Sequence, residues 1–353
     1  MPPGRPPHIP HSRPTLGPAE ARALARVVRS GQLAQGPLVE RFEQAMGRRL
    51  ALRHAGAVSS GTAGLHLALL ALDVGPGDDV LLPSLVCSAP LHAILAAGAR
   101  PRLVDCDPAT ANMDPAAARR ALGRRAKAII VPHAFGLPAE LAELCALGPP
   151  VIEDCAQALG AAYRGRPVGS FGDVCVLSFY ATKVLATGEG GMVLSGRRRL
   201  VDRVRDLRSY DERETFRPRF NYKMTDMAAA LGLCQLGRLG EFLARRQALA
   251  AAYDRGLSGT PLRLPPRPPD RTHMFHRYVV QAGPAAGPLL AALGARGIAA
   301  RRPVFRPLHA YLELPGFPGA AEAWRAMVSL PIYPSLSRAQ VNRVARAVRE
   351  ACP

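Results

Sequence analysis

The chain is expected to be an α/β protein: a large domain whose mostly parallel mixed sheet lies between helices, followed by a smaller C-terminal α+β domain. Three observations carry this expectation. Short apolar runs ending in polar residues alternate with helical patterns between residues 55 and 178, as in a parallel sheet covered on both faces. From Glu241 onward the alternation stops, and helices stand beside isolated strands. The length of 353 residues exceeds that at which one core keeps growing. The expected division is an arm over 1–16, a large domain over 17–240 and a small domain over 241–353.

Composition narrows the class. An apolar share of 48% supports a buried core. No run of about 18 apolar residues occurs, and the opening MPPGRPPHIPHSRP has no apolar signal region, so no membrane span or secretion is expected and the cytoplasm is the expected location. Seven cysteines without a Cys-x-x-Cys pair read as reduced, mostly buried thiols, with no metal site. The net charge of +19 raises the question of nucleic acid. Only three of the 46 basic residues are lysines, Lys127, Lys183 and Lys223, and the arginines are scattered without a block or an aromatic-interleaved strip. No nucleic-acid partner is expected, while a phosphate-bearing small molecule suits the charge.

In chain order, residues 1–14 are proline-rich and read as a loose arm. Two helical segments fill Gly17 to Leu50 around a turn at Gly31 to Pro37; the first presents Ala21, Leu24, Ala25 and Val28, the second Leu38, Phe42, Ala45 and Met46. Ala55 to Ser59 is a strand that Ser60-Gly61-Thr62 turns into the helix Ala63 to Leu72. Such a helix start can hold a phosphate through free N–H groups and the helix dipole, or can be an ordinary Ser/Thr cap. Val80 to Leu82, Arg102 to Val104 and Ala128 to Val131 are strands, with helices near Ser88 to Ala97, Asn112 to Leu122 and Ala139 to Leu147. His133 follows the last of these strands, where it either reaches a site or is structural.

The chemistry concentrates in residues 151–191, VIEDCAQALGAAYRGRPVGSFGDVCVLSFYATKVLATGEGG. Val151 and Ile152 form a strand ending in Glu153 and Asp154, with Gln157 just beyond. A second apolar run, Val174 to Phe179, leads through Ser178 to Lys183 and a glycine-rich turn. A carboxylate at one strand end and a lysine after another are what pyridoxal 5′-phosphate (PLP) needs. The amine forms a Schiff base with its aldehyde, and the carboxylate pairs with its pyridinium nitrogen. A lysine is rare in this chain, and a charge in so apolar a setting is costly unless it has a task.

Beyond this stretch, Arg197 to Ser209 is a basic helix, and FNYKMTDMAAALGLCQL enters a helix near Thr225 or Asp226. Helices are expected at Glu241 to Leu257, Pro288 to Gly297, Ala320 to Met327 and Arg338 to Cys352. Arg277 to Gln281 reads as a strand, and Ile298 to Val304 approaches one.

The segments VIED-CAQ, GSFGD, SFYATK and GEGG, in this order and spacing, resemble the DegT/DnrJ-type sugar aminotransferases, a branch of the fold type I PLP enzymes. SGQLAQGPLVERFE, NYKMTD and LPIYPSLS extend the resemblance over about residues 17–350. It implies a homodimer and transfer of an amino group from glutamate or glutamine to a keto-sugar, nucleotide-linked in the expected case. It implies Lys183 as the catalytic and cofactor-holding residue, Asp154 at the ring nitrogen, Gln157 at the ring oxygen, and Thr62, Ala63 and Ser178 at the phosphate. Asn221, by itself a turn residue, would reach the partner subunit's cofactor phosphate. Cys87 stands where most relatives place an aromatic residue against the cofactor ring, and a thiol offers less contact area. Two rivals are a PLP-dependent dehydratase, in which histidine replaces the lysine, and a cofactor-binding regulatory or assembly protein without turnover.

Overall fold

The computed structural model describes residues 8–352. The chain opens with α1 (Pro18–Ser30) and α2 (Pro37–Leu50), each led by a proline where the missing N–H is harmless. There follow β1 (His54–Val58), α3 (Gly61–Ala71), β2 (Asp79–Pro83), α4 (Ala89–Ala96), β3 (Arg100–Val104), α5 (Pro115–Ala121), β4 (Ala126–Pro132), α6 (Leu141–Cys145) and β5 (Val151–Asp154). A hairpin of β6 (Ala162–Tyr163) and β7 (Arg166–Pro167) leads to β8 (Val174–Ser178), β9 (Gly191–Ser195), α7 (Arg198–Leu207), α8 (Asp226–Gly237) and α9 (Leu239–Leu257). The chain ends in β10 (Arg271–Thr272), β11 (Tyr278–Gln281), α10 (Ala286–Ala295), α11 (Leu308–Tyr311), α12 (Pro318–Ala326), β12 (Met327–Leu330) and α13 (Arg338–Ala351). No helix is long and apolar enough to cross a membrane among the described residues.

Seven strands form one sheet in the order β1-β9-β8-β5-β4-β2-β3. The pairs from β3 through β8 are parallel, and β9 runs against both of its neighbours. The strand period of two sorts the side chains. Val151, Cys175, Leu177, Ile129 and Val131 face a core shared with α2, α5 and α8. Ile152, Val174, Val176, Ala128 and Ile130 face α3 and α4 on the opposite side. Both faces are apolar, which is why these strands read as unbroken hydrophobic runs.

A separate core gathers Leu249, Tyr253, Tyr278, Val280, Leu289, Val328 and Val344 around the antiparallel pair of β11 and β12. α9 joins the two cores, with Leu239 and Phe242 in the first and Leu249 and Tyr253 in the second.

Several expectations need correction. Residues 1–7 of the expected loose arm lie outside the described residues, but Ile9 is fully buried, exchanges backbone hydrogen bonds with Gly297 and Ala299, and anchors the arm in the C-terminal core. α1 buries Glu20, Ala23 and Val27, not the stripe through Ala21 and Val28; Val28 is 59% exposed. The polar Glu20 belongs inside because Gly17, Gln235 and Arg238 donate to its carboxylate. Ile298 to Val304 forms only single bridges, Ile298 to Ile9 and Arg301 to Ser329. β9 was hidden by the glycines before it, and β12 by its merger with the helical pattern of α12.

Candidate active site

The site is assembled where parallel strands end. Asp154 pairs in register with Val176, and the two-residue period puts Asp154 and Ser178 on the α3 side of the sheet. α3 begins against them. A Cβ on Gly61 would lie 2.8 Å from Ser178 Cβ, and one on Gly191 would lie 2.4 Å from the Ser60 carbonyl oxygen. Only glycine allows that approach. Ser60 caps α3 by accepting from the Ala63 N–H at 3.0 Å. The donors without an intrahelical partner are therefore the Gly61 and Thr62 N–H groups, with the exposed Thr62 side chain beside them.

Lys183 sits in the connection from β8 to β9, which folds back on itself. Phe179 N donates to Gly190 O at 2.9 Å, Thr187 N to Phe179 O at 2.8 Å, and Lys183 N to Tyr180 O at 2.8 Å. The Lys183 ammonium falls below its ordinary value because burial strips it of water; Cys87 and Asp154 oppose the fall and Arg277 adds to it. Asp154 is only 8% exposed. Burial raises its carboxyl above the ordinary range, against the Ala156 N–H at 3.0 Å and the charge of Lys183.

Cys87 is an exposed residue whose thiol is nonetheless pushed up by crowding, and it feels both Asp154 and Lys183. Cys87 is thus an exception to the expected buried thiols. Lys183 and Asp154 feel each other's charge, and Cys87 feels both. Gln157 lies close by in sequence, and its Oε1 accepts from the Phe135 N–H at 3.1 Å, leaving its NH2 group as the available end. Asn221 is exposed on the run leading into α8, where Tyr222 exchanges backbone bonds with Arg208 and Ser59. Among the described residues no hydrogen bond or charge interaction links Asn221 to Lys183 or Asp154 within one chain.

Glu153 points to the other face. Its Oε1 accepts from Phe171 and Gly172 N–H at 2.7 and 2.6 Å, and its Oε2 from Gly169 N–H at 2.7 Å and His133 Nε2 at 3.3 Å. Burial alone would raise this carboxyl, but the bonds from His133 and the loop hold it below its ordinary value. His133 Nδ1 accepts from the Ala139 N–H at 3.2 Å, which puts the ring proton on Nε2. His133 is therefore structural. The ligand atoms of His133, Glu153 and Cys155 lie within 4.8 Å of one another, but these hydrogen bonds already engage the histidine and the carboxylate.

Two site residues escaped the sequence reading. His276 and Arg277 enter β11 and line a small cleft with His11 and Thr182, next to Lys183. The His276 Nδ1 and Arg277 Nε are buried without a hydrogen-bond partner. The available signal was a His-Arg pair at the mouth of an apolar strand after a proline-rich loop.

Residues 14–349 match the model of the DegT/DnrJ/EryC1/StrS aminotransferase family. The spore coat polysaccharide biosynthesis protein SpsC of Bacillus subtilis is 35% identical, over 97% of this chain and 96% of its own length. The aminotransferase TlmJ from Streptoalloteichus hindustanus superposes with a TM-score of 0.92 at 37% identity, over 97% of this chain and 98% of its own. The PLP form of Spr1654 from Streptococcus pneumoniae does so with a TM-score of 0.92 at 25% identity, over 98% of this chain and all of its own. With this fold and these matches, the chain belongs to the DegT/DnrJ/EryC1/StrS family of sugar aminotransferases and is a PLP-dependent aminotransferase.

Proposed function

We propose that this protein transfers an amino group from glutamate or glutamine to a nucleotide-linked keto-sugar, acting as a cytoplasmic homodimer with Lys183 as its catalytic residue. The observation that carries the reading is that Lys183 and Asp154, beyond β8 and at the end of β5, feel each other's charge. The residues suit the cofactor. Asp154 has one backbone donor and a raised carboxyl, so a protonated ring nitrogen would complete its hydrogen bonding. The start of α3, which Gly61 lets lie close against Ser178, suits a phosphate through its free N–H groups; Thr62 and Ser178 would bind it together with Ala63, its N–H shared with Ser60. The NH2 of Gln157 would donate to the ring oxygen, and Cys87 would lie along the ring.

When bound, PLP supplies the electron sink for breaking a carbon–hydrogen bond. Lys183 Nζ would hold the cofactor covalently and, as a free amine, would take and return the substrate proton. Its depressed ammonium favours the neutral amine that this task requires. Asp154 would keep the ring nitrogen protonated, and Asn221 would complete the phosphate site of the partner subunit.

The substrate class is tested by incubating nucleotide-linked keto-sugars and inososes with glutamate and measuring amino product and 2-oxoglutarate. Amination of a nucleotide-linked keto-sugar is expected; amination of free inososes alone contradicts the nucleotide link. The shared site is tested by mixing Lys183→Ala and Asn221→Ala subunits. Each mixed dimer then keeps one intact site, so activity should return to about half that of the wild type. No recovery on mixing leaves Asn221 as a loop residue.

A further inference from the structure

We infer that Arg277, with the His276 ring beside it, receives the α-carboxylate of the amino donor. This rests on the aminotransferase reading above and adds the donor subsite. The first support is place. The donor amine must take the position of Lys183 Nζ, and the donor carboxylate carbon lies two bonds, about 2.5 Å, from that nitrogen. Its receiver must therefore border Lys183. Arg277 and His276 line the small cleft beside Thr182, the neighbour of Lys183.

The second support is unmet bonding capacity. Arg277 Nε and His276 Nδ1 are both buried and unpartnered. The hydrogen-bond partner of the guanidinium among the described residues is the His11 ring, at 3.2 and 3.3 Å, with no carboxylate opposite. His11 cannot supply the missing negative charge: burial, then Arg277 and Arg301, bring it down to about 3, so it is neutral. A partly buried cation without a counter-charge is unfavourable, and the planar guanidinium is shaped to take a carboxylate through two parallel bonds. Arg246 fixes this segment by donating to the carbonyls of Phe275 and His276 at 2.9 and 3.1 Å, so the guanidinium is presented from a held backbone.

The third support is reach of charge. The field of Arg277 is felt at Lys183, and that of Cys87 at Arg277, so the guanidinium lies within electrostatic reach of both. A carboxylate there would neutralise it without using the phosphate-suited helix start across the site.

The test uses the PLP-loaded protein and its Arg277→Gln and Arg277→Lys variants. Three quantities are measured: the donor half-reaction with L-glutamate, the same with 4-aminobutyrate, which lacks the α-carboxylate, and calorimetric binding of 2-oxoglutarate. Cofactor absorbance checks loading. Arg277→Gln should keep the absorbance, raise the glutamate KM and the 2-oxoglutarate Kd by about 30-fold, and leave 4-aminobutyrate unchanged; Arg277→Lys should recover part of the loss. Unchanged glutamate KM, equal loss with 4-aminobutyrate, or a change confined to the keto-sugar KM would each overturn the inference. A wild type that converts its cofactor with no amino acid would overturn the proposed function itself, whereas an active wild type matched by Arg277→Gln removes the donor subsite alone.

Discussion

Glu153 and Asp154 are adjacent carboxylates on one strand, and the pleat sends them to opposite sides of the sheet. Glu153 receives four donors, is fully buried, and is held below its ordinary value. Asp154 receives one backbone N–H, feels Lys183 and is held above its ordinary value. Both lie in apolar surroundings, so burial alone does not separate them. The difference is whether the protein itself completes the hydrogen bonding. Where it does, the acid builds structure by pinning the loop from Gly169 to Gly172; where it does not, the acid is left for a ligand.

The largest effect expected from this contrast is on turnover. Asp154→Asn should lower it on the order of 100-fold while the fold stays intact. A raised carboxyl favours folding most below its unfolded value of about 3.9, and this contribution is lost as pH rises through its folded value. Removing the charge should therefore not lower the melting temperature of the cofactor-free protein at neutral pH. A near-normal rate would reduce Asp154 to a strand-end acid.

Glu153→Ala should act oppositely, costing on the order of 3–5 kcal/mol by stranding buried donors. For Glu153 the carboxyl is depressed, so its stabilisation is present above its unfolded value of about 4.3 and fades as pH falls through its folded value. Melts of Glu153→Gln against wild type should accordingly converge toward acid pH. A gap that widens on acidification would contradict the hydrogen-bonded network. The smallest effect belongs to His133→Gln, about 1 kcal/mol of stability. Its donor half-reaction should match the wild type, and a loss of rate at intact stability would return His133 to the catalytic site.

Much of this arrangement was legible in the sequence because strand ends and turns announce themselves locally. The acids after Val151-Ile152, Lys183 after the apolar run of β8, and the Ser60 start of α3 are read from neighbouring residues. What stayed hidden depends on distant partners. Glu153 finds its donors 16 to 19 residues later, in a loop whose shape no local pattern gives. Ile9 is buried by β-bridging to Ile298, almost the whole chain away. Arg277 looks like an ordinary strand residue until His11 and Thr182 are brought beside it. β9 was missed because MVLS follows four residues of turn signal, and strand pairing with β1 and β8 overrides that local weakness.

Lys183 is the proposed attachment point of the cofactor, within reach of the charge of Asp154. Borohydride reduction of the PLP-loaded protein followed by peptide mapping tests it directly. A stable cofactor label is expected on Lys183 alone, with Lys183→Ala unlabelled; label on Lys127 or Lys223, or none at all, would contradict this assignment.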